Sequence, residues 1–347
     1  MEAFYTSPIS GNRAAAGRGR VRPYKIISTD LLHNHTKIFK EGFAIKLPNF
    51  LKQGDKVALI SVSSPQPQGT LEAAMQSVAD FGLNPVAYAT CGYARGYLAG
   101  TDAERARDLI EAFDDDDIAG VICIRGGYGA HRVFDLVNFD RIAASGKPLY
   151  GYSDVTALHI AMQNRGVISF QTPMPGTEWY KGLDDYTKQG VRQLLFGPLP
   201  SEIANPDGAK LNTMRPGIAR GELVGGNLSL VTSTIGTPYQ LDVDGKILFL
   251  EDVGESPRHL DRMLLQLRHS GLLTACAGII FGAFTDCAAE NPDKSLTIEQ
   301  VLDDLTADLN IPVVSDLQCG HCMPTASLPL GAQIILDARA GKLVIAQ

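Results

Sequence analysis

The first stretch with a clear structural pattern is Lys56-Val-Ala-Leu-Ile-Ser-Val-Ser-Ser-Pro65, a short apolar run that ends in turn residues. Such a run predicts a buried strand that enters a loop. A helix is expected next, because Leu71, Met75 and Val78 recur at spacings of four and three on one helical face. Gly82, just before Asn84-Pro85, supplies a stop signal for that helix.

The same alternation continues along the first half of the chain. Thr101-Asp-Ala-Glu104 forms a capping box and predicts the start of a helix that runs to about Phe113. Ala119–Ile124 and Pro148–Tyr152 predict further buried strands, with helical residues over Val133–Leu136 and Val155–Met162. Strands that alternate with helices indicate a parallel α/β sheet.

The domain organisation is expected to have four parts. Residues 1–43 are interpreted as a disordered leader or extension, and 44–185 as a Rossmann-like parallel α/β domain. Glycines and prolines interrupt the pattern beyond Pro173, so residues 186–216 are expected to form an interdomain linker. Residues 217–347, with more glycine and several short apolar runs, predict a smaller, β-rich α/β domain.

Composition excludes several classes of protein. The 347 residues carry a net charge of −7, which argues against nucleic acid as a partner. No apolar run approaches the roughly 18 residues that span a bilayer. Six cysteines at irregular separations are too few for a disulfide scaffold, which favours a reducing compartment.

The first forty residues differ in charge from the rest. They contain seven Lys/Arg against Glu2 and Asp30, a local charge of +5 that leaves −12 for the remainder. They lack the apolar core of a secretory signal. An organelle transit peptide is one interpretation, and an upstream extension or disordered tail is the other.

A glycine-rich turn is the first candidate for chemistry. Arg125-Gly-Gly-Tyr-Gly129 follows a predicted strand and precedes a helix, so its amides suit a phosphate or an oxyanion. The dinucleotide fingerprint fails because Arg132 occupies its third glycine position. A tight turn with no ligand is the alternative.

Ser153 is the second candidate. In Tyr150-Gly-Tyr-Ser153-Asp-Val it stands where a strand ends and a helix begins, the position of a nucleophile elbow. Val155 occupies the second glycine position of the usual hydrolase motif. Taken alone, the serine is better interpreted as a helix N-cap.

The third candidate is a pair of carboxylates after a predicted strand, in Ile247-Leu-Phe-Leu-Glu251-Asp252. The carboxyl end of such a strand faces the active site in α/β folds. Glu255 is a nearby rival, and capping of the following helix is the structural alternative.

The fourth candidate is Cys319-Gly-His321-Cys322, which has the spacing of a redox dithiol or of half a zinc site. No second C-x-x-C completes a zinc site in the sequence, so the imidazole becomes the more interesting group. The other histidines fall in the leader or on predicted helices: His33, His35, His131, His159, His259 and His269.

Ser153, Glu251 and His321 thus occur in the order nucleophile, acid, base, each after a predicted strand. From about Gly54 onward the chain resembles the serine LD-carboxypeptidases, peptidase family S66, which also include self-immunity proteins that cleave microcin C-type antibiotics. The resemblance rests on these blocks: Tyr97-Leu-Ala-Gly-Thr-Asp-Ala-Glu-Arg105, Arg125-Gly-Gly-Tyr-Gly-Ala130, Gly151-Tyr-Ser-Asp-Val-Thr-Ala-Leu-His159, Gly225-Gly-Asn-Leu228, Leu250-Glu-Asp252, Gly320-His321 and Leu328-Pro-Leu-Gly331.

The resemblance implies a catalytic triad and an activity. It carries the nucleophile onto Ser153, the acid onto Glu251 and the base onto His321, with an oxyanion hole from the amides of Asp154 and of the Gly126-Gly127 turn. It implies release of the terminal D-alanine from murein tetrapeptides during cytoplasmic cell-wall recycling. It further implies a homodimer, and no cofactor, metal, membrane or nucleic acid is expected.

Two features leave the subfamily open. Gln171-Thr-Pro173-Met174 replaces the His-Gly-Pro of many members, and Trp179-Tyr180 resembles the aromatic loop of the microcin-immunity branch. One alternative is therefore an amidase that acts on peptidyl-nucleotide mimics, with Trp179 as a stacking platform. Another is a non-catalytic sugar or nucleotide binding protein that uses the Gly126–Gly129 turn.

Overall fold

The computed structural model describes residues 45–346, and the predicted leader lies outside them. The described chain contains these strands: β1 (Lys56–Ile60), β2 (Asn84–Ala87), β3 (Gly120–Cys123), β4 (Leu149–Gly151), β5 (Ser169–Gln171), β6 (Glu202–Ile203), β7 (Asn212–Arg215), β8 (Ile218–Asn227), β9 (Ile247–Val253), β10 (Gly278–Thr285), β11 (Val313–Ser315), β12 (Leu328–Leu330), β13 (Gln333–Asp337) and β14 (Lys342–Ile345).

The α-helices alternate with these strands. They are α1 (Leu71–Ala79), α2 (Asp102–Asp114), α3 (Phe139–Ala144), α4 (Thr156–Gln163), α5 (Asp185–Phe196), α6 (Leu228–Ser233), α7 (Pro257–His269), α8 (Leu272–Ala275) and α9 (Ile298–Thr306). Among the described residues, no helix combines the length and apolar character that a bilayer crossing requires.

The first sheet has the strand order β12-β5-β4-β3-β1-β2. Strands β1 to β5 are parallel, and β12 pairs antiparallel with β5 at one edge. The predicted capping box is present at α2: the Thr101 hydroxyl accepts from the Glu104 amide, and the Glu104 carboxylate accepts from the Thr101 amide. The predicted N-terminal parallel α/β fold is therefore confirmed.

The second sheet has the order β6-β14-β13-β8-β9-β10-β11-β7. Its central strands β8 to β11 are parallel, and antiparallel strands flank them on both sides. This mixed sheet agrees with the predicted β-rich second part. The segment 186–216 contains most of α5 together with β6 and β7, so secondary structure fills the region that the sequence predicts as a linker.

The helical residues predicted over Val133–Leu136 belong to a 3-10 helix, Ala130–Leu136. Gly129 precedes it with a φ of 125°, a left-handed conformation that starts the turn directly from the glycine-rich segment.

Candidate active site

Ser153 follows β4 on a sharp turn. Its φ is 63°, in the left-handed region that non-glycine residues rarely adopt. A 3-10 turn over Ser153–Val155 leads into α4, whose N-cap position is occupied by Val155. Ser153 is therefore not the N-cap of α4, and its strained backbone has the form of a nucleophile elbow.

Glu251 meets Ser153 from the second sheet, and His321 meets it from the loop that joins the two sheets. The Ser153 Oγ lies 2.9 Å from His321 Nε2, and His321 Nδ1 lies 2.7 Å from Glu251 Oε2. Glu251 belongs to β9, and His321 lies in the loop between β11 and β12. Gly320 makes this approach possible, because a Cβ there would fall 2.4 Å from Glu251 Oε2.

The environment of His321 fixes its tautomer and its pKa. An ionised Glu251 only accepts hydrogen bonds, so Nδ1 carries the proton and Nε2 is free to accept from the Ser153 hydroxyl. Burial by itself would lower the pKa of His321, but the hydrogen bond to Glu251 and its negative charge outweigh burial and raise the pKa. The imidazole can thus hold a proton taken from the serine.

The glycine-rich turn lies against the elbow. A Cβ on Gly126 would stand 2.9 Å from Ser153 Cβ and 3.4 Å from the amide nitrogen of Asp154. Only glycine therefore permits this approach of the two backbones. Gly126 and the Asp154 amide, which the resemblance implies as parts of the oxyanion hole, are consequently neighbours of the candidate nucleophile.

The two other carboxylates near Glu251 have different partners. Asp252 accepts hydrogen bonds from Asn227 Nδ2 and from the amide and hydroxyl of Ser229. Glu255 contacts His259, with 2.9 Å between Oε2 and Nδ1. Helix α7 begins after Ser256, so Glu251 does not cap it. Only Glu251, of these three, contacts His321.

A cleft of about 950 Å³ opens beside Ser153. Its walls come from both parts of the fold. One side is formed by residues of α6, the following loop and the end of β9, and the other by Gly127, Tyr128, His131, Phe134 and Asp135. Asp135 and Glu255 line it, and no lysine or arginine occurs among the described residues of its lining. The candidate nucleophile is thus accessible from a space that suits a peptide.

The structure places the remaining predicted residues away from this cleft. The Trp179 side chain is only 4% exposed, and its indole donates to the Pro173 carbonyl while its ring packs against Phe81. Gln171 is buried on β5 against Cys319. These positions argue for packing roles instead of ligand contact.

The cysteines on either side of His321 are free thiols. Cys319 is fully buried, and burial raises its pKa well above the usual value. Within residues 45–346 no cluster of three or more His, Cys, Asp or Glu side chains could hold a metal ion.

Tyr152 and Glu178 lie beside the site, although no sequence pattern indicates a role for either. The Tyr152 ring lies 4.8 Å from the His321 ring, centroid to centroid, and its hydroxyl donates to Glu178 Oε1 at 2.7 Å. Tyr152 supports the face of the imidazole. Its position directly before Ser153 was the available signal, but nothing in the sequence indicates contact with a histidine 169 positions later.

Comparisons with known proteins identify similar sequences and a similar solved structure. Family models for the LD-carboxypeptidase N-terminal and C-terminal domains match residues 57–172 and 220–336. A probable murein peptide carboxypeptidase of Bacillus subtilis is 40% identical over 86% of this chain and 93% of its own length. The structure of a muramoyltetrapeptide carboxypeptidase from Oxalobacter formigenes matches with a TM-score of 0.74 at 31% identity, covering 83% of this chain and 97% of that one. The microcin C7 self-immunity protein of Escherichia coli is 28% identical over 70% of this chain and 77% of its own length.

Proposed function

The chain belongs to the LD-carboxypeptidase family, and we propose that it is a serine-type LD-carboxypeptidase that releases the terminal D-alanine from murein tetrapeptides. The observation that carries this proposal is the hydrogen-bonded series Ser153–His321–Glu251 at the edge of an open cleft. The murein carboxypeptidases to which the chain is similar support the substrate class.

The proposed reaction has two halves. His321 Nε2 removes the Ser153 proton as Oγ attacks the carbonyl carbon of the scissile amide, and Glu251 stabilises the resulting imidazolium. The amides of Asp154 and the Gly126-Gly127 turn hold the oxyanion. His321 then returns its proton to the leaving amine of D-alanine. Water, activated by the same imidazole, hydrolyses the acyl-serine in the second half.

The amidase alternative has one physical argument against it. An aromatic platform for a nucleobase needs an exposed ring face, and Trp179 is buried with its indole nitrogen satisfied. The chain is also more similar to the murein peptide carboxypeptidase than to the self-immunity protein.

We also propose that the protein acts in the cytoplasm as a homodimer. All six cysteines are free thiols, as in proteins of a reducing compartment. The dimer rests on the family resemblance alone, and sedimentation of the purified protein tests it.

Removal of the Ser153 hydroxyl tests the proposed activity. Ser153→Ala should fold normally and lose turnover by about 10⁶-fold, the usual effect of deleting a triad nucleophile. The assay compares murein tetrapeptide, from which D-alanine is released, with its all-L isomer and with a peptidyl-adenylate mimic, and measures the cleavage products of each. We expect cleavage of the first and almost none of the second, because a positioned carbonyl does not tolerate an inverted neighbouring centre.

Three outcomes would contradict the proposal. Near-normal turnover by Ser153→Ala would remove the nucleophile assignment. Faster cleavage of the adenylate mimic by the unaltered enzyme would favour the amidase. Ligand binding without any turnover, unaffected by Ser153→Ala, would favour the non-catalytic alternative.

A further inference from the structure

The Asp154 side chain is a buried carboxylate next to the candidate nucleophile, and the reaction described above does not use it. The residue is 2% exposed, so its charge is almost fully removed from water. Its Oδ2 atom accepts two hydrogen bonds, from the Ser63 hydroxyl at 2.5 Å and from the Ala130 amide at 2.8 Å. Burying a carboxylate costs free energy unless hydrogen bonds or an ion pair compensate for the lost water. These two hydrogen bonds therefore hold their donors firmly in place.

The two donors belong to different segments of the first sheet. Ser63 is fully buried in the loop that leaves β1. Ala130 directly follows the glycine-rich turn, residues 126–129. Asp154 itself follows the nucleophile. One oxygen atom therefore joins the β1 loop, the end of the glycine-rich turn and the elbow.

A buried cation holds the same turn from its other side. Arg105 is fully buried and donates through Nη1 to the carbonyls of Gly129, at 2.7 Å, and of Val62. The Tyr128 amide adds a hydrogen bond to the Ser64 hydroxyl at 3.1 Å. The turn and the β1 loop are thus fastened together by a buried acid and a buried base.

From this geometry we infer that the Asp154 carboxylate is a positioning residue, which keeps the amides of the glycine-rich turn at the distance from Ser153 that an oxyanion requires. In the described part of the chain no hydrogen bond joins this carboxylate to Ser153 or His321, so it acts through the turn. The inference rests on the proposed function, since it concerns the oxyanion hole of that reaction.

The expected loss of rate follows from the strong dependence of catalysis on the position of the oxyanion donors. Gly126 already lies against Ser153 with no room for a Cβ. The turn therefore moves away from the elbow when the hydrogen bonds from Ser63 and Ala130 to Asp154 are lost. A displacement of about 1 Å near reacting atoms costs about 100-fold in rate. Asp154→Ala removes the acceptor entirely, whereas Asp154→Asn keeps an oxygen that can accept from Ser63 and Ala130.

The test measures phosphonylation of Ser153 by an alkyl fluorophosphonate, followed by intact-protein mass spectrometry. Ser153 Oγ forms a bond to phosphorus, fluoride leaves, and His321 takes the proton, while the phosphoryl oxygen occupies the oxyanion hole. This reaction depends on the nucleophile and the hole but not on the peptide substrate. We expect the rate to fall about 100-fold in Asp154→Ala and less than about tenfold in Asp154→Asn.

Two further variants separate positioning from general stability. Asp108→Asn is the matched control, because Asp108 is also a buried carboxylate, 1% exposed, that accepts from a backbone amide, that of Thr90. Asp108→Asn should leave the labelling rate within about twofold of that of the unaltered enzyme. It should lower the unfolding temperature by an amount similar to that in Asp154→Ala. Ser63→Ala should lower the labelling rate. It should not lower the rate of Asp154→Ala any further, because both changes remove the hydrogen bond between Ser63 and Asp154.

Steady-state kinetics on murein tetrapeptide add a second readout. A displaced oxyanion hole lowers kcat with KM within about twofold, since the hole contacts the oxyanion more than the ground state. The inference is overturned by a labelling rate within twofold of the unaltered enzyme in Asp154→Ala, by additive losses in the double variant, or by an equal loss in Asp108→Asn. If Asp154→Ala does not fold, Ser63→Ala and Asp154→Asn, singly and combined, decide it by the same additivity criterion.

The proposed function and the inference fail in different ways. Labelled Ser153 without tetrapeptide cleavage would discard the substrate class, and the labelling rates would still decide the role of Asp154. An unaltered enzyme that is not labelled at Ser153 would overturn both.

Discussion

Replacing Glu251 by glutamine tests which carboxylate orients the base. The substitution preserves the shape of a side chain that is fully buried. It replaces one of two acceptor oxygens with an NH₂ donor, and Oε1 has no hydrogen-bond partner in the structure. The amide can turn its NH₂ toward His321 Nδ1, which would place the imidazole proton on Nε2 and leave no lone pair for Ser153.

The expected loss is large. A triad acid changed to its amide costs about 10⁴-fold in kcat when the wrong tautomer results. The Glu251 charge also raises the pKa of His321, so the acid limb of the pH profile of kcat/KM should move to lower pH in the variant. A purely structural role for Glu251 would reduce activity without that movement.

Glu255→Gln is the matched control. Its side chain is 34% exposed and pairs with His259, which is 46% exposed, so the change should cost less than about threefold in kcat. The assay is D-alanine release from murein tetrapeptide across pH 5–9, with thermal unfolding to verify the fold. A larger loss at Glu255 than at Glu251, or an unmoved acid limb in Glu251→Gln, would refute the assignment of the acid.

Two further predictions concern buried side chains. Burial lowers the pKa of His159 to about 4. The unfolded chain therefore binds a proton at His159 below about pH 6.5, whereas the folded protein does so only below about pH 4. The free energy of unfolding consequently falls as the pH decreases from about 6.5 to about 4, by about 3 kcal/mol in total. Urea unfolding at pH 8 and pH 4.5 should show a smaller pH dependence in His159→Gln, and an equal one would contradict the argument. Trp179→Ala should lower the free energy of unfolding by about 3–5 kcal/mol, with the KM for tetrapeptide within about twofold, measured in the folded fraction at low temperature. A KM raised tenfold or more would make the indole a substrate contact.

The sequence predicts the part of the fold whose signals are local. Strand β1 is a continuous apolar run, and α2 begins at a capping box, so both are apparent from neighbouring residues. Strand β12 has only three residues and pairs with β5, more than 150 positions earlier. No periodicity is measurable over three residues, and no local rule gives such a pairing.

The candidate site shows the same division. Residue type and position after a strand single out Ser153 and His321, and the order of the three groups indicates a serine hydrolase. The positive φ of Ser153 is absent from any local pattern, which is why a helix cap was the favoured interpretation of this serine taken alone. Glu251 and Glu255 are the same residue type four positions apart, so only a tertiary distance, 2.7 Å to His321, separates them.

The block Gly225-Gly-Asn227 was identified only through the family resemblance, and the structure gives the physical reason for its two glycines. Gly225 has a φ of 120°, and a Cβ there would lie 2.0 Å from the Phe249 carbonyl oxygen of β9. A Cβ on Gly226 would lie 2.6 Å from the Thr156 hydroxyl of α4. Gly225 therefore lets the backbone of β9 approach β8, its neighbour in the sheet, and Gly226 lets α4 approach β8.

This close approach sets the geometry of the triad. Helix α4 leads directly from the nucleophile elbow, and Asn227 of β8 is in register with Glu251 of β9. The Asn227 amide donates to the Thr156 hydroxyl at 3.0 Å, which ties the helix to that strand. A side chain larger than hydrogen at Gly226 would push the Ser153 side of the site away from the Glu251 side. The glycine pair, which contributes no catalytic group, thereby determines whether His321 can contact both partners at once.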